Sequence, residues 1–150
     1  IITDLRADNV TDEILDLLKR AKTYEVVAAL ETPDPRILQA IDRKMDPMKF
    51  VRGYKQVLDA GIKVMCPVMF GLDDREDPEF YAKFVIEHGV QTNPGLAKAY
   101  PGNGLWDLTE KEGWEEYQEL PPPADPFRVR KGRDVALAKL TKFKELVGLL

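Results

Sequence analysis

Apolar positions in this chain come in two alternating patterns. Residues 24–30 (YEVVAAL) and 62–70 (IKVMCPVMF) are short runs dense in apolar side chains, the pattern of strands covered on both faces by helices. Between them, apolar residues recur at helical spacing. Ile14, Leu15, Leu17 and Leu18 form one face of a helix that Asn9 or Thr11 can cap, and Ile37, Leu38 and Ile41 follow Pro35, a residue suited to a first helical turn. Asp46 and Pro47 open a longer helix that turns Phe50, Val51, Tyr54, Val57 and Leu58 inward and stops at Gly61, which can take the left-handed conformation. Pro78 opens another, ending at Glu87, His88 and Gly89. Residues 1–7 predict a first strand and residues 96–100 a weaker fourth, followed by a turn over 101–104. Strand then helix, repeating at roughly 30–40 residues, implies right-handed crossovers and a parallel sheet. The expected fold is α/β: part of a (β/α) barrel with about four parallel strands over residues 1–106.

Beyond Trp106 the pattern changes, and residues 107–150 read as a C-terminal extension. Residues 109–118 can form a short helix, 120–126 are a proline-rich spacer, and a final helix from about Gly132 to Val147 carries an apolar stripe of Val135, Leu137, Leu140, Phe143, Leu146 and Val147. That stripe predicts packing against the barrel or a neighbour. Trp106 and Trp114 are read as anchors for this segment.

Composition narrows the function classes. With 150 residues and 44% hydrophobic content, the chain can bury one core. Its formal charge of -4 gives no broad positive field for nucleic acid or anionic lipid. No stretch approaches the roughly 20 apolar residues of a membrane span, and no secretion signal is visible, so a cytoplasmic address is expected. The chain opens on Ile1 inside a strand, which reads as a cut within a larger protein. One cysteine, Cys66, rules out an internal disulfide and a cysteine-rich metal cage built from this chain alone. It sits in mid-strand and reads as an inert buried thiol.

In parallel barrels ligands gather at the C-terminal strand ends. Here the most informative end is that of residues 62–70, where an apolar run stops at Gly71 and acids follow. Gly71 would let the backbone turn closely around a bound group. Asp73, Asp74, Glu76 and Asp77 could attract a hard cation, but acids just before Pro78 more commonly stabilise a helix N-terminus, and no metal site is assigned. His88 is read as a helix-end residue. No residue is assigned a catalytic role.

Taken together, ALETPDPRILQAIDRK (29–44), AGIKVMCPVMFGLDD (60–74) and AYPGNGLW (99–106), with the opening TDLRAD (3–8), resemble in order and spacing the later half of a radical S-adenosylmethionine domain. The resemblance implies a partial (β/α)6 barrel of which this chain supplies the third to sixth strands. It places Glu31 at a strand end facing the cofactor's ribose or methionine, and Arg43 near the methionine carboxylate, where a cation is apt. Backbone around Pro67, Phe70 and Gly71, and around Tyr100 and Pro101, would lie against adenine and ribose. The implied cofactors are S-adenosylmethionine and a [4Fe-4S] cluster, with cobalamin in an upstream domain for one kind of such enzyme. The family's CxxxCxxC cluster loop is absent, the Pro-Gly-Glu after the third strand is replaced by acids, and Pro67 interrupts a strand where proline normally marks a bulge. Cluster ligands would therefore come from outside this chain. Expected partners are the preceding part of the same protein, or a second copy, across the open edge of the first strand. Two alternatives remain open: a non-catalytic α/β scaffold or interaction domain, and a flavodoxin-like domain, which lacks support from any glycine-rich phosphate loop.

Overall fold

A computed structural model of the chain describes residues 1–98, 115–117, 127–129 and 133–150. Three of its helices begin with one device. In α2 (Pro35–Ala40), α3 (Pro47–Asp59) and α4 (Pro78–His88) an aspartate caps the first turn and proline takes the first helical position, where its missing N–H costs nothing. Helix α1 (Asp12–Arg20) is capped instead by Thr11, whose Oγ1 accepts from the Ile14 amide at 3.3 Å. Asn9, the other candidate cap, ends a 3-10 turn over Ala7–Asn9. The expected glycine stops hold: Gly61 and Gly89 have φ of 80° and 65°.

The strands β1 (Ile2–Asp4), β2 (Glu25–Val27) and β3 (Lys63–Met65) pair in that order, all parallel, with Val26 opposite both Thr3 and Val64. After Cys66 the third line continues as β4 (Pro67–Phe70), which pairs in parallel with β5 (Asn93–Leu96). An isolated parallel bridge between Glu31 and Val68 extends the β2 line alongside β4. Four parallel lines thus lie side by side, and helical chain between successive lines returns each to the starting end. The α/β expectation is met, and among the described residues the sheet stays open and does not close into a barrel.

The fourth strand runs over Asn93–Leu96, earlier than residues 96–100. Pro94 and Gly95 disguise it in the sequence. They are tolerated because β5 pairs on one side only among the described residues, so the missing Pro94 N–H breaks no second ladder. A strand, β6 (Glu115–Tyr117), also lies inside the span read as a short helix, paired antiparallel with β7 (Phe127–Val129). There cross-strand pairing overrides local helical preference. Trp106, Trp114 and the spacer 120–126 lie outside the described residues.

The core is built where the strand lines meet α3, α4 and the last helix, α5 (Arg133–Leu146). Ala28, Leu30, Val68 and Phe70 are fully buried among Ile37, Phe50, Tyr54, Tyr81 and Phe143. Val26, Val57 and Ile62 form a second cluster with Leu15 and Leu18 of α1. Helix α5 packs back onto the sheet, its Phe143 ring 5.3 Å from that of Phe70. Its buried stripe is narrower than expected: Leu140 and Phe143 are buried, whereas Val135, Leu137 and Leu146 are exposed.

Candidate functional site at the C-terminal strand ends

The end of the β2 line carries an irregularity. The amides of Leu30 and Glu31 both donate to the Pro67 carbonyl, at 3.2 and 3.1 Å, and the Met69 amide donates to the Glu31 carbonyl at 2.7 Å. Two residues opposing one acceptor form a bulge, and the bulge sets Glu31 at φ 62°, a left-handed conformation that a glutamate adopts at a cost. Proline at the start of β4 therefore does mark a bulge, displaced onto the neighbouring strand. The distortion re-aims the Glu31 side chain at the rim.

Arg43 meets it there. After α2 the chain turns at Asp42, which also has a positive φ of 52°, and the Arg43 amide donates to the Leu38 carbonyl at 2.8 Å. The guanidinium reaches back across the strand end. Its Nη1 lies 3.8 Å from Glu31 Oε1 and its Nη2 donates to the Ala29 carbonyl at 3.3 Å. Its Nε is buried without a hydrogen-bond partner. Burial pushes the Glu31 carboxyl above its ordinary range while the Arg43 charge pulls it down. A cavity of about 300 Å³, lined by Leu38, Asp42, Arg43, Lys44 and Met45 among others, opens beside the guanidinium. The two residues form a half-buried pair of opposite charges with an unspent arginine donor, an arrangement able to hold a zwitterion or a carboxylate beside hydroxyls.

The other half of the rim is the loop after β4. Gly71 turns at φ 93°, and the amides of Gly71, Leu72 and Asp73 donate to the carboxylate of Glu76 at 2.8, 2.6 and 3.2 Å. Glu76 is buried, which raises its pKa, and those three amides offset part of that rise. Asp77 caps α4, as acids before Pro78 should. Asp73 pairs with Arg75 at 2.7 Å, and Asp34 pairs with Arg36 at 2.6 Å. A buried contact ties the loop after the β2 line to α4: the Thr32 hydroxyl donates to the Tyr81 hydroxyl at 2.6 Å, and Thr32 Oγ1 accepts from the Asp34 amide at 3.0 Å.

Of the residues singled out from the sequence, Glu31 contacts both Arg43 and the Pro67 carbonyl, and Gly71 follows the end of the neighbouring strand β4. The Phe70 ring does not reach the rim, being fully buried against Tyr81 and Phe143, and its carbonyl accepts from Ala97 within the sheet. Phe70 shapes the rim from beneath. On its Cα side Gly71 faces Ala136 of α5: a Cβ added at Gly71 would lie 3.3 Å from the Ala136 Cβ. Tyr100 and Pro101 lie outside the described residues. Cys66 is buried in the core and its thiol is pushed up to about 12 by burial. His88 packs its ring edge-on against Phe84 at 4.6 Å. Among the described residues no group of three or more His, Cys, Asp or Glu side chains could hold a metal. None of these helices is long and apolar enough to cross a membrane.

The sequence pointed to Glu76 only as one of four acids before Pro78, and it assigned no role to Thr32, Tyr81 or Asp34. Asp34 carried a signal, since Asp-Pro recurs at three helix starts. Glu76 carried none, because nothing local separates it from Asp73, Asp74 and Asp77.

No family model matches the chain. Over 105 residues, 67% of this chain and 20% of the relative, it is 30% identical to hopanoid C-2 methylase of Rhodopseudomonas palustris. Over 129 residues, 78% of this chain and 28% of the relative, it is 24% identical to an uncharacterized methyltransferase of Pyrococcus horikoshii. The chain therefore spans less than a third of the length of these curated relatives, and is homologous over part of its length to a methylase.

Proposed function

We propose that this chain is the cofactor-binding latter portion of a radical S-adenosylmethionine enzyme of the cytoplasm. The observation that carries the reading is the meeting of Glu31 and Arg43 at a bulged strand end, beside the Gly71 loop and on the C-terminal edge of parallel strands. The partial homology to a methylase supports it. S-adenosylmethionine fits the donor set: Arg43, with its partnerless Nε, suits the methionine carboxylate, and Glu31 suits the ammonium or ribose hydroxyls. Held there beside a reduced [4Fe-4S] cluster, that cofactor would supply radical chemistry, one electron from the cluster breaking its S–C5' bond with methionine as the other product.

The cluster itself does not fit this chain. Its one cysteine is buried with a raised thiol pKa, so the cluster ligands belong to residues outside it, as would any cobalamin. The same protein's preceding strands, or a second copy, would add to the outer edge of β1, where Ile1 and Ile2 are exposed. Expression with its upstream sequence under anaerobic conditions tests the proposal: cluster absorbance and release of 5'-deoxyadenosine are expected. A full protein without a cysteine triplet would overturn it.

A second reading, a non-catalytic scaffold, draws on the internal satisfaction of the rim, where Glu76 already occupies the loop amides. It predicts that the full protein binds no S-adenosylmethionine and that Glu31→Gln leaves function untouched.

A further inference from the structure

The loop after β4 does not hold its shape alone. Its three amides close on Glu76, and the Glu76 side chain is only 1% exposed. From α5, Lys139 Nζ lies 4.0 Å from Glu76 Oε2 and donates to the Asp74 carbonyl at 2.8 Å. One ammonium thus touches both the carboxylate that gathers the loop and the loop's own backbone. Ala136, one turn earlier, packs on Gly71, and Phe143, one turn later, packs on Phe70. Three successive turns of α5 seat on the end of β4 and the loop that leaves it.

We propose that Lys139 is a positioning residue for the cofactor rim, and that α5 fixes the conformation of the loop from Gly71 to Asp77. The physical argument is one of compensation. A carboxylate with so little exposure is costly unless its charge is met, and among the described residues it is met by three backbone amides and Lys139. Without the ammonium, Glu76 retains the amides but loses its counter-charge, and the Asp74 carbonyl loses a charge-assisted donor. The loop then gains access to conformations in which its amides no longer converge. Lys139 sits far from Glu31 and Arg43 in sequence, and the contacts described for it are with Glu76 and Asp74 of the loop. Its effect on a ligand is exerted through the loop.

The ligand arm of this inference rests on the S-adenosylmethionine reading, whereas the loop arm does not. The test compares Lys139→Met, which keeps length and removes charge, with Lys139→Arg, which keeps charge, in the full chain. Hydrogen exchange is read at the Gly71, Leu72 and Asp73 amides against Val27 of β2 as an internal reference. Lys139→Met is expected to speed exchange at the three loop amides by about tenfold, the effect of one lost charge-assisted hydrogen bond, with Val27 unchanged and Lys139→Arg close to the parent. In a Glu76→Gln background, which keeps shape and removes the charge Lys139 meets, a further Lys139→Met change should have a smaller effect than in the parent, the remainder being the lost bond to the Asp74 carbonyl. Equal loop exchange in Lys139→Met and the parent overturns the proposal, as does equal loss at Val27, which would mean general destabilisation. In the protein with its upstream sequence, S-adenosylmethionine affinity should fall in Lys139→Met and recover in Lys139→Arg. If the parent binds no S-adenosylmethionine while the exchange difference persists, the cofactor reading falls and the role of Lys139 in the loop stands.

Discussion

Glu31 is held in a backbone conformation that a glycine would occupy without cost. Strain of this kind, on the order of 1–3 kcal/mol, persists where surrounding structure imposes it, and it concentrates at functional positions. Here the imposing structure is the Pro67 carbonyl, which takes two amides at once. Replacing Glu31 by glycine should therefore raise stability in denaturant unfolding by about 1 kcal/mol, because the strain is relieved. The same substitution should abolish S-adenosylmethionine binding in the longer protein. A loss of stability would show that the Arg43 ion pair outweighs the strain. Glu31 was legible from the sequence only as one member of an ordered pattern. Its bulge was half legible, since Pro67 announced a distortion but could not say which strand would carry it.

Among the elements, α3 shows a contact that no periodicity betrays. A Cβ at Gly53 would stand 1.7 Å from the Ala7 carbonyl oxygen, so the helix lies directly against the 3-10 turn after β1. Gly53→Ala should lower the unfolding free energy by at least about 1–3 kcal/mol, read as a lower denaturant midpoint with an unchanged slope, because backbone cannot move aside as a side chain can. A glycine in mid-helix reads from sequence as a weakness, and its reason exists only across the packing interface. The α2 start was more readable, and it makes a pH-dependent contribution. The Arg36 guanidinium and the amides of Arg36 and Ile37 hold the Asp34 carboxyl below its ordinary 3.8, against a smaller opposing effect of burial. A depressed carboxylate stabilises the fold above its unfolded value, and that contribution is lost as pH falls through the depressed folded value. Thermal melts should accordingly show a steeper decline below about pH 4 in the parent than in Asp34→Asn, whose stability starts lower and falls less. Parallel slopes would remove Asp34 from the acid response.

For the molecule as a whole, the order of strands and helices over residues 1–98 followed from apolar periodicity and Asp-Pro punctuation, because each helix start is a local event. What was not legible is where α5 docks. Its periodic stripe includes Val135 and Leu137, which are exposed, and nothing local distinguishes them from Leu140 and Phe143, which are buried. The strand 93–96 was hidden for a related reason, since Pro94 and Gly95 are permitted by their place in the sheet and not by their propensity. The exposed Ile2 on β1 gives a prediction at this scale. If that edge recruits a strand, the chain should self-associate with rising concentration, and Ile2→Lys should shift it toward monomer in analytical ultracentrifugation. A concentration-independent monomer for the parent would remove the edge as a pairing surface.

The anchoring of the Gly71 loop by a helix so much later in the polypeptide also imposes a timetable on its biosynthesis. Lys139 follows Asp74 by 65 positions, a delay of roughly 3–13 s at ordinary translation speeds. During that interval the four parallel lines can already be assembled outside the ribosome while the loop still lacks its anchor. A nascent polypeptide stalled short of Lys139 should accordingly resist protease across β1, β2 and β3 yet be cut between Gly71 and Asp77, and the finished product should resist in both places.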